Sequence, residues 1–218
     1  MKKCYFLFPL IGLLACQHSP EWRARCYARY MEDEGKLMTK IEIREVGQKE
    51  VAAIELDEVR FNDGAMEHRE NNVVGHYYQS EVPGELPSSG FEYRINHQKE
   101  HATIRFNILG LKNIQIKEQQ ISKTSGFTLT WDGPALGKNE EITVTITDME
   151  GTVAQAVVKG ATAKTEAFIP AAMYSGLKPG ASSYFLVKTM FPNTENDNIS
   201  SEAEVGYYSK NYAAEVTE

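Results

Sequence analysis

Apolar and polar residues alternate with a period of two in short runs along most of this chain. Between Leu37 and Val46, the residues Leu37, Thr39, Ile41 and Ile43 alternate with Met38, Lys40, Glu42 and Arg44. Successive side chains of an extended strand point to opposite faces, so this pattern buries one face and solvates the other. A helix needs apolar residues three and four apart, and no run of ten or more residues shows that spacing. The expected fold class is all-β.

Turn chemistry cuts the alternation into segments. Arg25–Met31 and Leu37–Val46 flank Glu32-Asp33-Glu34-Gly35, which reads as a hairpin with a glycine in its loop. Further strands are expected at Glu50–Leu56, Val59–Phe61, Val73–Ser80, Phe91–Asn96, Thr103–Leu109 and Asn113–Lys117. Asn62-Asp63-Gly64 supplies a tight reversal, and Pro83-Gly84 and Pro87-Ser88-Ser89-Gly90 bound a loop. A second series is expected at Phe127–Trp131, Glu141–Thr147, Val153–Lys159, Glu166–Ile169, Tyr184–Met190 and Ala203–Tyr208. The polar stretch Lys117–Ser125 lies between the two series. The chain is therefore expected to form two antiparallel β-sandwich domains in tandem, 23–118 and 119–218, joined by a short stiff junction.

The second domain carries a family resemblance. Gly126-Phe127-Thr128-Leu129-Thr130-Trp131-Asp132-Gly133-Pro134 is similar to the second strand of fibronectin type III domains, with its core Trp and following Pro. Leu177-Lys178-Pro179-Gly180 followed by Tyr184 resembles that family's turn and corner tyrosine, the Tyr lying one residue further along. The resemblance covers about residues 119–208. It implies a β-sandwich used as a spacer or recognition module.

The N-terminus is of a different kind. Met1-Lys2-Lys3 is followed by the apolar run Tyr5–Ala15, interrupted by Pro9. That run is about half the roughly 20 residues a membrane-spanning helix needs, and it reads as a secretory signal peptide over 1–15. Leu13-Leu14-Ala15-Cys16 resembles the lipobox of bacterial lipoproteins, with Leu14 where the pattern usually has a smaller residue. The resemblance implies cleavage before Cys16, lipid on its sulfur, and a tether over 16–22. Several acyl chains at about 0.8 kcal/mol per buried methylene anchor firmly. Gln17 is not the Asp that retains many lipoproteins at the inner membrane, so the outer membrane is expected. The general look is similar to lipoproteins of Bacteroidota.

Charge and cysteine use narrow the partners. Removing residues 1–15 from 218 leaves 203, and loss of two lysines takes the formal charge from −7 to −9. Phosphate backbones need clustered Lys and Arg, so nucleic acid is not an expected partner. Arg23, Arg25 and Arg29 fall on one side of an extended segment beside the anchor. Cys26 has no partner once Cys4 leaves with the signal and Cys16 carries lipid, and it reads as a small buried side chain.

The chemistry-bearing residues do not assemble into a catalytic set. His97 and His101 sit at the two ends of a short loop without a third ligand, and His68 and His76 have no chelating spacing. There is no Gly-x-Ser-x-Gly elbow, and the acidic patches fall in turns. Asn193–Asn198 lacks the order of a calcium loop and reads as a solvated loop. No metal or cofactor is expected, and the chain reads as a non-enzyme.

Tyrosines remain. Adjacent tyrosines on a strand face opposite ways, so Tyr77-Tyr78 and Tyr207-Tyr208 each present one ring outward for ligand contact. The functional expectation is a membrane-anchored envelope lipoprotein acting as a binding or assembly module, its partner another envelope protein or a polysaccharide. A carbohydrate-binding accessory lipoprotein is the alternative, followed by a hydrolase.

Overall fold

A computed structural model describes residues 22–46, 53–88, 90–107, 110–196 and 198–218. The expected signal peptide, Cys16 and the tether up to Glu21 lie outside the described residues, as does the start of the strand expected at Glu50–Leu56.

The fold is all-β, with one 3-10 turn among the described residues, at Ala171–Met173. In chain order the strands are β1 (Trp22–Met31), β2 (Lys36–Glu45), β3 (Glu58–Phe61), β4 (Gly64–Ala65), β5 (Glu67–Asn71) and β6 (Gly75–Pro83). Next come β7 (Phe91–His97), β8 (Glu100–Phe106), β9 (Lys112–Ile116), β10 (Ile121–Ser122), β11 (Phe127–Asp132) and β12 (Glu140–Asp148). The last are β13 (Val153–Lys159), β14 (Glu166–Ile169), β15 (Gly180–Met190), β16 (Asn193–Asn196), β17 (Ile199–Tyr208) and β18 (Tyr212–Thr217).

Alternation builds the first hairpin as expected. β1 and β2 pair antiparallel from Trp22↔Glu45 to Met31↔Lys36. Gly35 closes the turn with φ of 53°, a left-handed conformation that a glycine adopts without a Cβ penalty. Ala24, Cys26, Ala28 and Tyr30 of β1 face inward, while Arg23, Arg25 and Arg29 are exposed on the other face.

One long sheet of eleven strands runs in the order β10-β18-β15-β17-β1-β2-β6-β5, with β12 and β13 added beside β15 and β16 beside β17. Two smaller sheets, β4-β3-β7-β8 and β14-β11-β9, complete the layers. Tyr93 of β7 bridges to the long sheet: its hydroxyl bonds Thr39 Oγ1 and donates to the Tyr27 carbonyl at 3.1 Å. On the other side Phe127, Leu129 and Trp131 of β11 join Ile142, Val144 and Leu186 in the same continuous core. Trp131 is buried and donates its indole N–H to the Pro134 carbonyl at 3.0 Å.

Among the described residues the ladders are antiparallel with two exceptions. β10 runs parallel to β18, and β1 runs parallel to β17 over ten residue pairs from Trp22↔Ile199 to Met31↔Tyr208. A parallel pair cannot be joined by a tight turn, and here nearly the whole chain forms the crossover. The boundary expected at 118/119 is thus crossed by a hydrogen-bonded ladder. Cys26 lies in that ladder between Ile41 and Ala203, and burial pushes its thiol far above the ordinary range. Asn193–Asn196, expected in a solvated loop, pairs as β16 with β17.

Two polar devices hold the C-terminal half. Asp148 accepts backbone N–H bonds from Glu150, Thr152 and Lys178, each at 2.9 Å. It thereby ties the β12–β13 reversal to the Leu177-Lys178-Pro179-Gly180 turn that starts β15. The bond to Lys178, joined by those to Thr152 and Glu150, holds its carboxyl below the usual range against the opposing effect of burial. Lys188, buried beside the core, pairs with Glu140 at 3.1 Å, and the other oxygen of Glu140 accepts the Gly137 N–H at 2.7 Å.

Candidate functional site

A cleft of about 840 Å³ opens where the N-terminal strands, β9 and the β17–β18 connection meet. Its floor is aromatic. Tyr30, at the inward end of β1, stacks on Tyr207 of β17 with ring centroids 6.0 Å apart and planes 17° from parallel. The parallel ladder between their strands places the two residues side by side in register. Tyr207 donates its hydroxyl to the Leu111 carbonyl at 3.2 Å. Gly110 makes the close approach possible, because a Cβ there would stand 2.9 Å from Tyr207 Cε2.

The walls are mixed. Leu86 and Pro87 form one side and the run Gly110–Gln115 another. Tyr212 stacks on Tyr184 at 5.3 Å and has Lys210 Nζ 5.7 Å from its ring centre. Glu32 closes the rim, accepting the Lys210 N–H at 2.9 Å. Burial, then the neighbouring Glu32 carboxylate, pushes the Tyr207 phenol far above its ordinary range. Burial, then Glu32 and Tyr184, pushes the Tyr212 phenol up to about 12. Both hydroxyls are therefore neutral hydrogen-bonding groups at physiological pH. A second hollow of about 720 Å³ shares Asn113 and Gln115 with the cleft and continues over Thr130, Asp132 and Glu166.

The four tyrosines singled out from sequence are not gathered in one place. Tyr78 is 4% exposed, and its hydroxyl donates to the Leu56 carbonyl at 2.9 Å and accepts the Leu56 N–H at 2.6 Å. It fastens the Leu56 segment to β6 and has no free ring face. Tyr77, half-buried on the opposite face, lies under Lys40 Nζ at 4.4 Å. Tyr207 belongs to the cleft floor, and Tyr208 is half-buried on the outward face of β17. Tyr30 and Tyr212, the cleft's other tyrosines, had no sequence signal apart from their residue type.

The histidines also divide. His97 packs its ring edge-on to Trp22 at 6.2 Å, while His101 bonds Asn96 Oδ1 at 2.8 Å. His68 and His76, unremarkable in spacing, meet across β5 and β6 with His68 Nε2 and His76 Nδ1 3.0 Å apart. Among the described residues no group of three or more His, Cys, Asp or Glu is placed to hold a metal ion.

No family model matches the chain, and no curated protein matches it. Among solved structures it is similar to a chain of dimeric latent PorU from Porphyromonas gingivalis, at 11% identity and a TM-score of 0.32. That likeness covers 95% of this chain and 21% of the other, so the chain spans about a fifth of that neighbour's length.

Proposed function

We propose that this protein is a lipid-tethered binding module of the bacterial cell envelope, held at the outer membrane through Cys16 and taking its partner in the tyrosine cleft. The observation that carries the reading is the cleft itself: stacked Tyr30 and Tyr207, half-buried Tyr212 and a mixed-charge rim. Rigid, amphipathic rings beside polar groups suit recognition of another molecule. The fibronectin type III likeness of residues 119–208 is part of the proposal. In its support, β14-β11-β9 packs against β13-β12-β15-β18 with Trp131 between them, and Tyr184 is buried after the Leu-Lys-Pro-Gly turn.

Two measurements test the two halves of the reading. Cys16→Ser is expected to move the protein from the membrane fraction to the soluble fraction of cells, and retention at the membrane would refute the anchor. Crosslinking in cells followed by mass spectrometry is expected to capture a partner at Lys210 or Lys112. Capture confined to surfaces remote from the cleft would refute its role. The carbohydrate reading keeps one favourable observation, the amide of Gln115 lining the same cleft as the half-buried ring of Tyr212.

A further inference from the structure

We propose that the cleft is a strand acceptor, in which an extended segment of another polypeptide adds to the open edges of β18 and β9. The inference rests on the binding-module reading and names its class of partner.

The geometry begins at β18. Its ladder with β15 runs from Tyr184↔Tyr212 to Gly180↔Val216. On its other side β10 covers only Val216 and Thr217. Thr217 turns its carbonyl away from β15, since that oxygen accepts the Lys123 N–H at 3.0 Å. Backbone groups of a strand alternate in direction from residue to residue. Ala213, four positions earlier, therefore points its N–H and C=O the same way as Thr217. No strand among the described residues pairs with that side of Ala213. Gln120 Nε2, at 3.5 Å from Glu215 Oε2, marks where β10 stops covering the edge.

The opposite bank is β9, which pairs only with β11 among the described residues. The Lys117 N–H donates to the Thr128 carbonyl at 2.9 Å, and Gln115 lies opposite Thr130. In that regular part of the ladder odd-numbered residues face β11 and Ile116 turns its backbone groups to the other side, while the register shifts between Gln115 and Lys112. The run Gly110–Gln115, which leads into that edge, forms a wall of the cleft. Tyr212 at the start of β18 and Lys112–Gln115 of β9 both line the cleft, so two incomplete ladders border the same opening.

An extended polypeptide is the occupant whose groups repeat at the spacing of these edges. Every second side chain of such a guest would meet Leu86, Leu111 and the Tyr30–Tyr207 floor. The others would meet the charged rim of Glu85, Lys112 and Lys210. A sugar matches the rings but not the row of backbone donors and acceptors.

The test uses the lipidated full-length protein in detergent and a panel of synthetic decapeptides. Each alternates Val, Leu, Ile or Phe with Thr, Lys or Glu. A matched panel carries Pro at alternate positions, and soluble oligosaccharides form a third arm. Members of the first panel are expected to bind and the Pro-containing panel to fail. Ala213→Pro removes one outward N–H from an exposed edge position, where proline is tolerated in a strand. It is expected to weaken peptide binding about tenfold, the size of one hydrogen bond, with the unfolding midpoint little changed. Equal binding by Ala213→Pro and wild type would overturn strand addition. So would binding of oligosaccharides without peptides, which leaves the cleft as a binding site and removes only the inference about its partner. Silence in all three arms from a protein folded by circular dichroism would overturn both readings.

Discussion

The long sheet exposes an edge at β5, and it leaves part of another open at β18, opposite the free edge of β9. Along β5 the residues are Glu67, His68, Arg69, Glu70 and Asn71, all exposed. Arg69 pairs with Glu67 at 2.7 Å, and His68 is held against His76. Charged side chains on an edge oppose the docking of another strand. The cleft edges are built otherwise: Ala213 and Ala214 of β18 are small, Ile114 of β9 is buried, and the cleft that Tyr212 and Ile114 line has an aromatic floor. The contrast shows that a free edge is not by itself a site. It becomes one where apolar depth accompanies unpaired backbone groups, and the fold supplies that depth at the junction of its two halves.

The largest expected effect comes from removing that depth. Tyr207 is 5% exposed and carries both the stack with Tyr30 and the bond to Leu111. Tyr207→Ala is expected to cost about 3–5 kcal/mol in urea denaturation, as for other large buried aromatics. Tyr207→Phe, which loses only the hydroxyl's bond, is expected to cost about 1 kcal/mol. Near-wild-type stability of the alanine variant would mean that the floor is not core, and the comparison with β5 would collapse.

The next effect is a pH dependence that reaches the same edge through its neighbour. Asp148 holds Lys178 N–H and so fixes the start of β15, the strand on which β18 is laid. Its folded pKa lies below the ordinary carboxylate value near 4. The stabilisation it gives is therefore fully present above that value and is lost as pH falls through the lower folded pKa. Asp148→Asn is expected to melt earlier than wild type at pH 7, with the gap closing as the pH falls below about 4. A gap independent of pH would assign the effect to shape instead of charge.

How much of this was legible in the sequence follows from what alternation encodes. Period two reports which side chains face inward, so the β1–β2 hairpin and the strand of Trp131 could be read directly. It does not report which strand lies next door. The parallel pairing of β1 with β17, and hence the meeting of Tyr30 with Tyr207, depends on contacts between the two ends of the described chain. Strands held by a ladder without a buried face leave no alternation at all. For that reason Glu67–Asn71 escaped notice, and with it the approach of His68 to His76. Tyr212–Thr217 escaped too, because its two alanines blur the pattern. Tyr78 read as a contact residue because sequence cannot show that Leu56 occupies its hydroxyl from both directions.

The smallest expected change in stability tests the other side of the comparison. Replacing Glu67, Arg69 and Glu70 by Thr, Val and Thr removes the charges of β5 at exposed positions. Exposed substitutions of this kind are expected to alter stability by only about 0.5 kcal/mol each, and threonine and valine suit a strand. Association should nonetheless change. The triple variant is expected to form concentration-dependent dimers or larger species in sedimentation velocity at concentrations where wild type sediments unchanged, because the backbone edge loses its guard. A variant whose sedimentation matches wild type would show that shape, not charge, keeps β5 unpaired. In that case the difference between the two edges would reside in the twist and depth of their surroundings, and the cleft would be distinguished by its aromatic floor alone.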